Sequence, residues 1–230
     1  MVIGNGLLAK RFEKYKNDDH IIIFASGVSN STNKANHEFA REEILLADTI
    51  KQNSEKTLVY FGTCSVYDPA LHNSPYVQHK LAMEELIKQN QSKYHIFRIS
   101  NLAGKTDNPH TILNYFAQHI IAGTFFHLWK ESFRNIIDID DAFAICDYII
   151  QNKLFANKAV NIANPANYPV SAIVQLLELH TGEKGNYDII HKNSNPQIDV
   201  STTKEIAAKL NITFDDTYLQ TIIEKYFPVK

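Results

Sequence analysis

An α/β fold built on a parallel sheet is what this sequence predicts, and two observations carry the prediction. The first is a set of short, continuous apolar runs, "HIIIFAS" (20–26), "KTLVYFGT" (56–63) and "YHIFRIS" (94–100). Such runs mark strands buried on both faces. The second is that helix-period segments separate them, at about 36–53 and from Pro75 to about Gln91. Strands alternating with helices imply parallel pairing, right-handed crossovers and helices on both faces of the sheet. At the start, "MVIG" predicts a further strand opening into a helix at about 7–16.

After residue 105 the rhythm changes. "HTILNYFAQHIIAG" predicts a helix stopped by Gly123, followed by short strands in "TFFHLW" and "FRNIIDI". "DDAFAICDYIIQN" predicts a helix capped by an aspartate. "KAVNIA" (strand), "VSAIVQLLELHTG" (helix), "NYDIIH" (strand) and a polar-to-helical tail complete the chain. We therefore expect residues 1–105 to form the core, and 106–230 to complete the sheet and form a small lobe packed on it as one unit.

Composition excludes several classes of function. At 230 residues, 44% apolar and 21% charged, the chain suits an ordinary globular protein with one sizeable core. A net charge of −2 with scattered basic residues argues against nucleic acid or an anionic membrane as partner. No apolar stretch approaches the ~20 residues that span a bilayer. The start "MVIGNG" lacks the basic and apolar regions of a signal peptide. Two cysteines without metal-type spacing fit a reducing cytoplasm, and ten histidines without H-x-x-x-H spacing predict no metal site.

Gly4-Asn5-Gly6-Leu7-Leu8-Ala9 forms a GxGxxA string between the first strand and the first helix. A first glycine permits the tight turn, a second lets a pyrophosphate approach the backbone, and Ala9 keeps the helix near the strand. Such a turn predicts a dinucleotide site. The acidic residue that normally holds the adenosine ribose about 20 positions later is missing, because that place falls in "IIIFAS".

Two Tyr-x-x-x-Lys strings occur, Tyr76 to Lys80 and Tyr226 to Lys230. The second contains a proline and is a decoy. The first follows "YFGTCSVYDP" (60–69), a buried strand whose end carries Thr63, Cys64 and Ser65. Ligands sit at strand ends in such sheets, and residues four apart share a helix face, so a hydroxyl, a phenol and an ammonium converge. These residues resemble the extended short-chain dehydrogenase/reductase family, the NAD-dependent epimerases and dehydratases acting on nucleotide sugars. The likeness continues in "FRISNLAGK" (97–105), with Arg98, Asn101 and Gly104, and in "FRNIIDIDDA" (133–142), whose arginine is Arg134. "DVSTTKEIAAKLNI" (199–212) looks like the family's C-terminal element.

The resemblance implies a Rossmann-like, doubly wound parallel sheet with a C-terminal substrate lobe. It also implies a truncation. The first helix runs directly into what looks like the family's fourth strand, so the second and third appear missing and the first becomes a sheet edge. NAD(P)H is the implied cofactor, contacted by Gly4, Asn5, Gly6, Leu7, Ala25, Ser26, Tyr76 and Lys80. Lys10 and Arg11 hint at a cofactor 2′-phosphate. Thr63, Tyr76 and Lys80 are the implied catalytic residues, with Ser65, Asn101 and Arg134 on a nucleotide-diphosphate sugar. For Arg134 an internal ion pair with Asp138 or Asp140 is the alternative. His127, Trp129 and Lys130 are placed at the nucleotide end, and His79 is expected to point away from the site.

In this family dehydratases carry Asp-Glu where this chain has Cys64 and Ser65. That leaves reduction of a nucleotide-linked 4-keto sugar, for surface polysaccharide or deoxysugar synthesis, or epimerisation. A degenerate, non-catalytic binder of nucleotide sugar or dinucleotide is the competing class. A homodimer through the helices at about 36–53 and 75–91 is also implied.

Overall fold

The computed structural model describes residues 1–30 and 36–227. The chain opens with β1 (Val2–Ile3), α1 (Leu7–Arg11), a 3-10 turn (Glu13–Tyr15), β2 (Ile21–Phe24) and α2 (Asn36–Gln52). Next come β3 (Thr57–Thr63), a second 3-10 turn (Cys64–Tyr67), α3 (Pro75–Asn90) and β4 (Tyr94–Ile99). The second half runs β5 (Asn101–Ala103), α4 (Ile112–Ala122), β6 (Phe125–Trp129), β7 (Phe133–Asp138), α5 (Ile139–Gln151) and β8 (Lys158–Ile162). It ends with β9 (Asn167–Pro169), α6 (Val170–Thr181), β10 (Asn186–Ile190), α7 (Ser201–Leu210) and α8 (Tyr218–Tyr226).

Five of these strands form the main sheet in the order β1-β2-β3-β4-β8, and every pairing is parallel. β1 is the edge expected for a sheet without the family's second and third strands. Its ladder is short, Val2 opposite Ile23 and Ile3 opposite Phe24. Strand periodicity sorts the core into two layers. Ile22, Phe24, Leu58, Tyr60 and Ile96 pack with Leu46 and Ile50 of α2 and Met83 and Ile87 of α3. Ile23, Val59, Phe61 and Phe97 pack on the other face with Ile145, Cys146 and Ile149 of α5.

One expectation about connectivity is corrected. Phe12 and Tyr15, which follow α1, lie in the α5 layer, and Phe12 meets Phe61 and Phe143 edge-on at 5.0 and 4.9 Å. The β1-to-β2 and β2-to-β3 connections advance in the same direction across the sheet, yet α1 and α2 lie on opposite faces. The two crossovers are therefore of opposite hand, not uniformly right-handed. With no strand on the outer side of β1 among the described residues, the helix α1 keeps its face while its following strand lies in the other direction. The helix expected over 7–16 also ends early, at Arg11, and the 3-10 turn brings Tyr15 into the core.

The lobe has its own apolar centre. Phe116 and Ile120 of α4, Ile173 and Leu177 of α6, and Ile222 and Ile223 of α8 pack on Phe126 and Leu128 of β6. β6 pairs in parallel with β10, while β7 joins β5 and β9 in a second small sheet. The short strands β5 and β9 were not visible as strands in the sequence. Local signals start and stop the helices, and Gly123 ends α4 as expected. Ser74 Oγ accepts from Val77 N–H at 3.2 Å with proline at the first helical turn of α3. Asp138 caps α5 through Asp140 N–H at 2.7 Å. Among the described residues no helix is long and apolar enough to cross a membrane.

Candidate active site

The C-terminal ends of β1 to β4 bring the glycine turn, the Ala25–Ser26 segment, Thr63 and α3 to one edge of the sheet. Gly4 has φ +124°, and a Cβ there would lie 2.3 Å from the Ala25 carbonyl oxygen, so the turn is pressed against the end of β2. A Cβ on Gly6 would meet nothing within 4 Å, which leaves open space in front of the turn. Gly4, Asn5 and Gly6 are exposed, Leu7 is half-buried, and Ala9 is buried beneath them. Ala25 and Ser26 are half-buried, and Arg41 of α2 donates to Ser26 Oγ at 3.1 Å and to its carbonyl at 3.0 Å.

Thr63 is buried at the end of β3, and its Oγ1 accepts from Ser65 N–H at 3.1 Å. The bond uses the oxygen as an acceptor and leaves the hydroxyl proton to be donated elsewhere. Ser65 is half-buried in the following turn. Tyr76 is buried with Val28 and Val77, flanked by Phe39, Val66 and Leu71. Among the described residues its hydroxyl takes no hydrogen bond.

Lys80 goes elsewhere. Its ammonium donates to Glu42 Oε1 at 3.0 Å and to the Tyr60 hydroxyl at 3.2 Å, and the residue is 2% exposed. Glu42, wholly buried on α2, also accepts from Tyr60 Oη at 2.7 Å, from Val28 N–H at 2.6 Å and from His79 Nε2 at 3.1 Å. Four partners fill the capacity of one carboxylate. Burial works to raise this carboxyl, but the His79 hydrogen bond, the Lys80 charge and the Val28 and Tyr60 donors hold it well below the usual range. Tyr60 is pushed up by burial and by the adjacent Glu42 charge. A Cβ on Gly27 would approach Lys80 Nζ to 2.5 Å and Glu42 Oε1 to 2.9 Å, so a side chain there would have to displace this ion pair. His79, expected to point away, instead stacks on Phe39 at 4.6 Å and shares the Glu42 carboxylate.

Glu42 was missed in the sequence because it sits in a charged run, "REE". A signal existed: Phe39, Glu42, Leu46 and Ile50 recur at helical spacing, which puts the acid on the apolar stripe. Glu84 follows the same logic on α3. It is wholly buried and pairs with Arg98 through bonds of 2.9 and 2.6 Å, while Arg98 Nη1 donates to the Tyr67 hydroxyl at 2.8 Å. Arg98 is thus committed inside the fold. Cys64 donates to the Arg98 carbonyl at 3.0 Å, and burial pushes its thiol up to about 12.

Arg134 follows neither of the internal pairs considered for it. Asp138 and Asp140 are both held by Lys225 at 2.8 Å. The Arg134 guanidinium donates to its neighbour's carbonyl, Phe133 O, at 2.7 Å and to Ser194 Oγ at 3.1 Å, and lies 5.3 Å from the Trp129 ring centre. Ser194 in turn donates to the buried Asp68 at 2.7 Å, on the loop that follows Thr63. Burial lowers the Arg134 pKa and the Asp68 charge opposes the shift, so this cation is desolvated with its nearest anion one hydroxyl away. Asn101 is exposed at β5 and donates to the Asn135 carbonyl at 2.7 Å. Lys192 lies 3.7 Å over Trp129, while Lys130 is exposed on the same turn; His127 is exposed on β6.

Two other sequence features resolve simply. Arg11 pairs with Asp140 at 2.6 Å and stacks on Phe143, so its charge is not directed at the glycine turn. Tyr226 donates to Asp138 at 2.9 Å in the lobe; its distant companion Lys230 lies outside the described residues.

The parallel sheet and its glycine turn have the form of a dinucleotide-binding α/β protein. A model of the NAD dependent epimerase/dehydratase family matches residues 5–163, and the chain belongs to that family. Solved structures agree in fold. PbgP3 protein from Burkholderia pseudomallei superposes with a TM-score of 0.68 at 20% identity, over 93% of this chain and 77% of that one. UDP-N-acetylglucosamine 4-epimerase from Bacillus cereus gives 0.67 at 19% identity, over 100% and 96%. RMD from Pseudomonas aeruginosa complexed with NADPH gives 0.71 at 13%, over 96% and 95%. Comparison with curated proteins finds no match.

The residues present fit a dinucleotide at the turn, where Gly6 opens onto free space and Gly4 admits no side chain. At the other end the fit departs from the family pattern, because the Lys80 ammonium is spent on Glu42 and Tyr60.

Proposed function

We propose that this chain is an NAD(P)-dependent oxidoreductase of the nucleotide-sugar type that reduces a nucleotide-linked 4-keto sugar in surface polysaccharide or deoxysugar synthesis. The observation that carries the reading is Arg134, a desolvated guanidinium held by neutral acceptors and, among the described residues, by no carboxylate. A planar cation in that state suits the oxygens of a diphosphate. Residues 106–230 then serve as the nucleotide-sugar lobe against the 1–105 core, with Asn101 and Ser65 on the sugar side.

When bound, the nicotinamide supplies the hydride chemistry. Tyr76 delivers its phenolic proton to the sugar oxygen, and Thr63 donates a hydrogen bond to the same oxygen. Lys80 acts at one remove, through the buried network that fixes α3. Two unpaired buried cysteines suit a cytoplasmic enzyme. A homodimer through α2 and α3 fits the exposed Ile44 on α2; light scattering that gives a monomer at micromolar concentration would exclude it.

A thermal-shift panel of nucleotide sugars with and without NADPH tests the reading, since a ligand that binds the folded state raises Tm by mass action. Arg134→Ala should weaken UDP, GDP or dTDP binding by at least about tenfold, as expected for a lost charge-assisted contact. Unchanged nucleotide affinity would remove Arg134 from the substrate site. Epimerisation is the second enzymatic reading, and it predicts product without net consumption of NADPH. The burial of Lys80 against Glu42 favours a third, a non-catalytic binder, which predicts ligand-induced stabilisation with no turnover.

A further inference from the structure

The structure assigns to Arg41 the role of binding a phosphate group of the dinucleotide, beside the glycine turn. This deepens the proposed function and rests on that reading of the turn as a cofactor site. Four observations support it. Arg41 donates to Ser26 Oγ and to the Ser26 carbonyl at 3.1 and 3.0 Å, which fixes its guanidinium at the end of β2. That end is the surface on which the turn rests, because a Cβ on Gly4 would lie 2.3 Å from Ala25 O and 3.1 Å from Ser26 N. Arg41 is exposed, and among the described residues it has no carboxylate partner. The adjacent acid, Glu42, points its carboxylate into the network of Lys80, His79, Tyr60 and Val28 and is not available to it.

A guanidinium with two of its five N–H groups on neutral acceptors keeps donors for an anion. The open space before Gly6 is where a pyrophosphate would approach the backbone. The role also answers a deficit. With β1 as the sheet edge, among the described residues no strand lies outside it to carry adenosine-side contacts, and Arg11 is committed to Asp140. Arg41 is therefore a cation anchored at Ser26, the segment against which the glycine turn is pressed, with donors left for a phosphate.

The test is a calorimetric titration of the wild type and Arg41→Gln with NADH and with NADPH. Arg41→Gln is expected to weaken at least one of them by about tenfold or more, the scale of a lost charge-assisted contact. Loss confined to NADPH places Arg41 on the 2′-phosphate, and equal loss for both places it on the pyrophosphate. Affinities within about twofold of wild type for both ligands overturn the assignment while leaving the cofactor reading intact. A wild type that binds neither ligand overturns the cofactor reading itself, and Arg41 with it. Arg41→Lys, which keeps the charge and loses the planar fork, should recover part of the affinity.

Discussion

Tyr76→Phe is expected to fold with an unchanged Tm and to lose at least about 100-fold in turnover, the usual contribution of a positioned general acid. The two halves of that result come from different observations. The ring fills a buried cluster with Val28 and Val77, and phenylalanine keeps that packing. Its hydroxyl has no hydrogen-bond partner among the described residues, so deleting it strands no buried group. The role proposed for it, proton donor to the sugar oxygen, therefore competes with no contact among the described residues. The measurement is NADPH consumption on a sugar found by the thermal-shift panel, paired with a melting curve. Full activity in the variant would take Tyr76 out of the mechanism. A large fall in Tm would show instead that the hydroxyl holds the fold.

Glu42→Ala should be the most damaging single change to stability, by about 3–5 kcal/mol, the cost of breaking a buried ion pair from one side. It would leave the Lys80 ammonium, 2% exposed, without its carboxylate, and would strand the Val28 N–H and the Tyr60 hydroxyl. The effect carries a pH signature. The folded carboxyl is held below its unfolded reference of about 4.3, so its stabilisation is complete above that value and is lost as pH falls towards the folded pKa. Urea unfolding of wild type and variant should therefore differ most near neutral pH, and the gap should narrow in acid. A gap of under about 1 kcal/mol at neutral pH would mean that Lys80 finds water or another partner.

Much of the sheet was legible because its strands are buried on both faces. Continuous runs such as "TLVYF" are short and rich in β-branched and aromatic residues, which favours strands over buried helix, and they stand as β2, β3 and β4. The cap of α5 was equally local, an aspartate before an amphipathic run, whereas the Ser74 cap of α3 was not singled out. Thr63, Tyr76 and Arg134 were singled out as candidates by motif order. Their partners were not. Lys80 and Glu42 are 38 residues apart and meet only because α2 packs on α3. The Ser194–Asp68 link spans 126 residues and depends on how the lobe meets the β3 loop. Pairwise electrostatics between distant elements is set by tertiary packing, and no spacing rule encodes it. The hand of the first crossover was hidden for the same reason, since it depends on which face receives α1.

That first crossover also bears on how firmly the glycine turn is held in time. The glycine turn hangs between a two-residue ladder, Val2 and Ile3, and the side chains of Phe12 and Tyr15. β3, by contrast, is zipped to β4 over six residues and to β2 over four. Segments with few ladder bonds open at lower free energy than the central strands, and they do so as contiguous units. The first fifteen residues should thus exchange their amide hydrogens well before those of β3 and β4. Any ligand seated on Gly4 and Gly6 would slow that exchange in proportion to its occupancy. On the proposed cofactor reading, the same short edge would make the amino-terminal unit a reporter of dinucleotide binding.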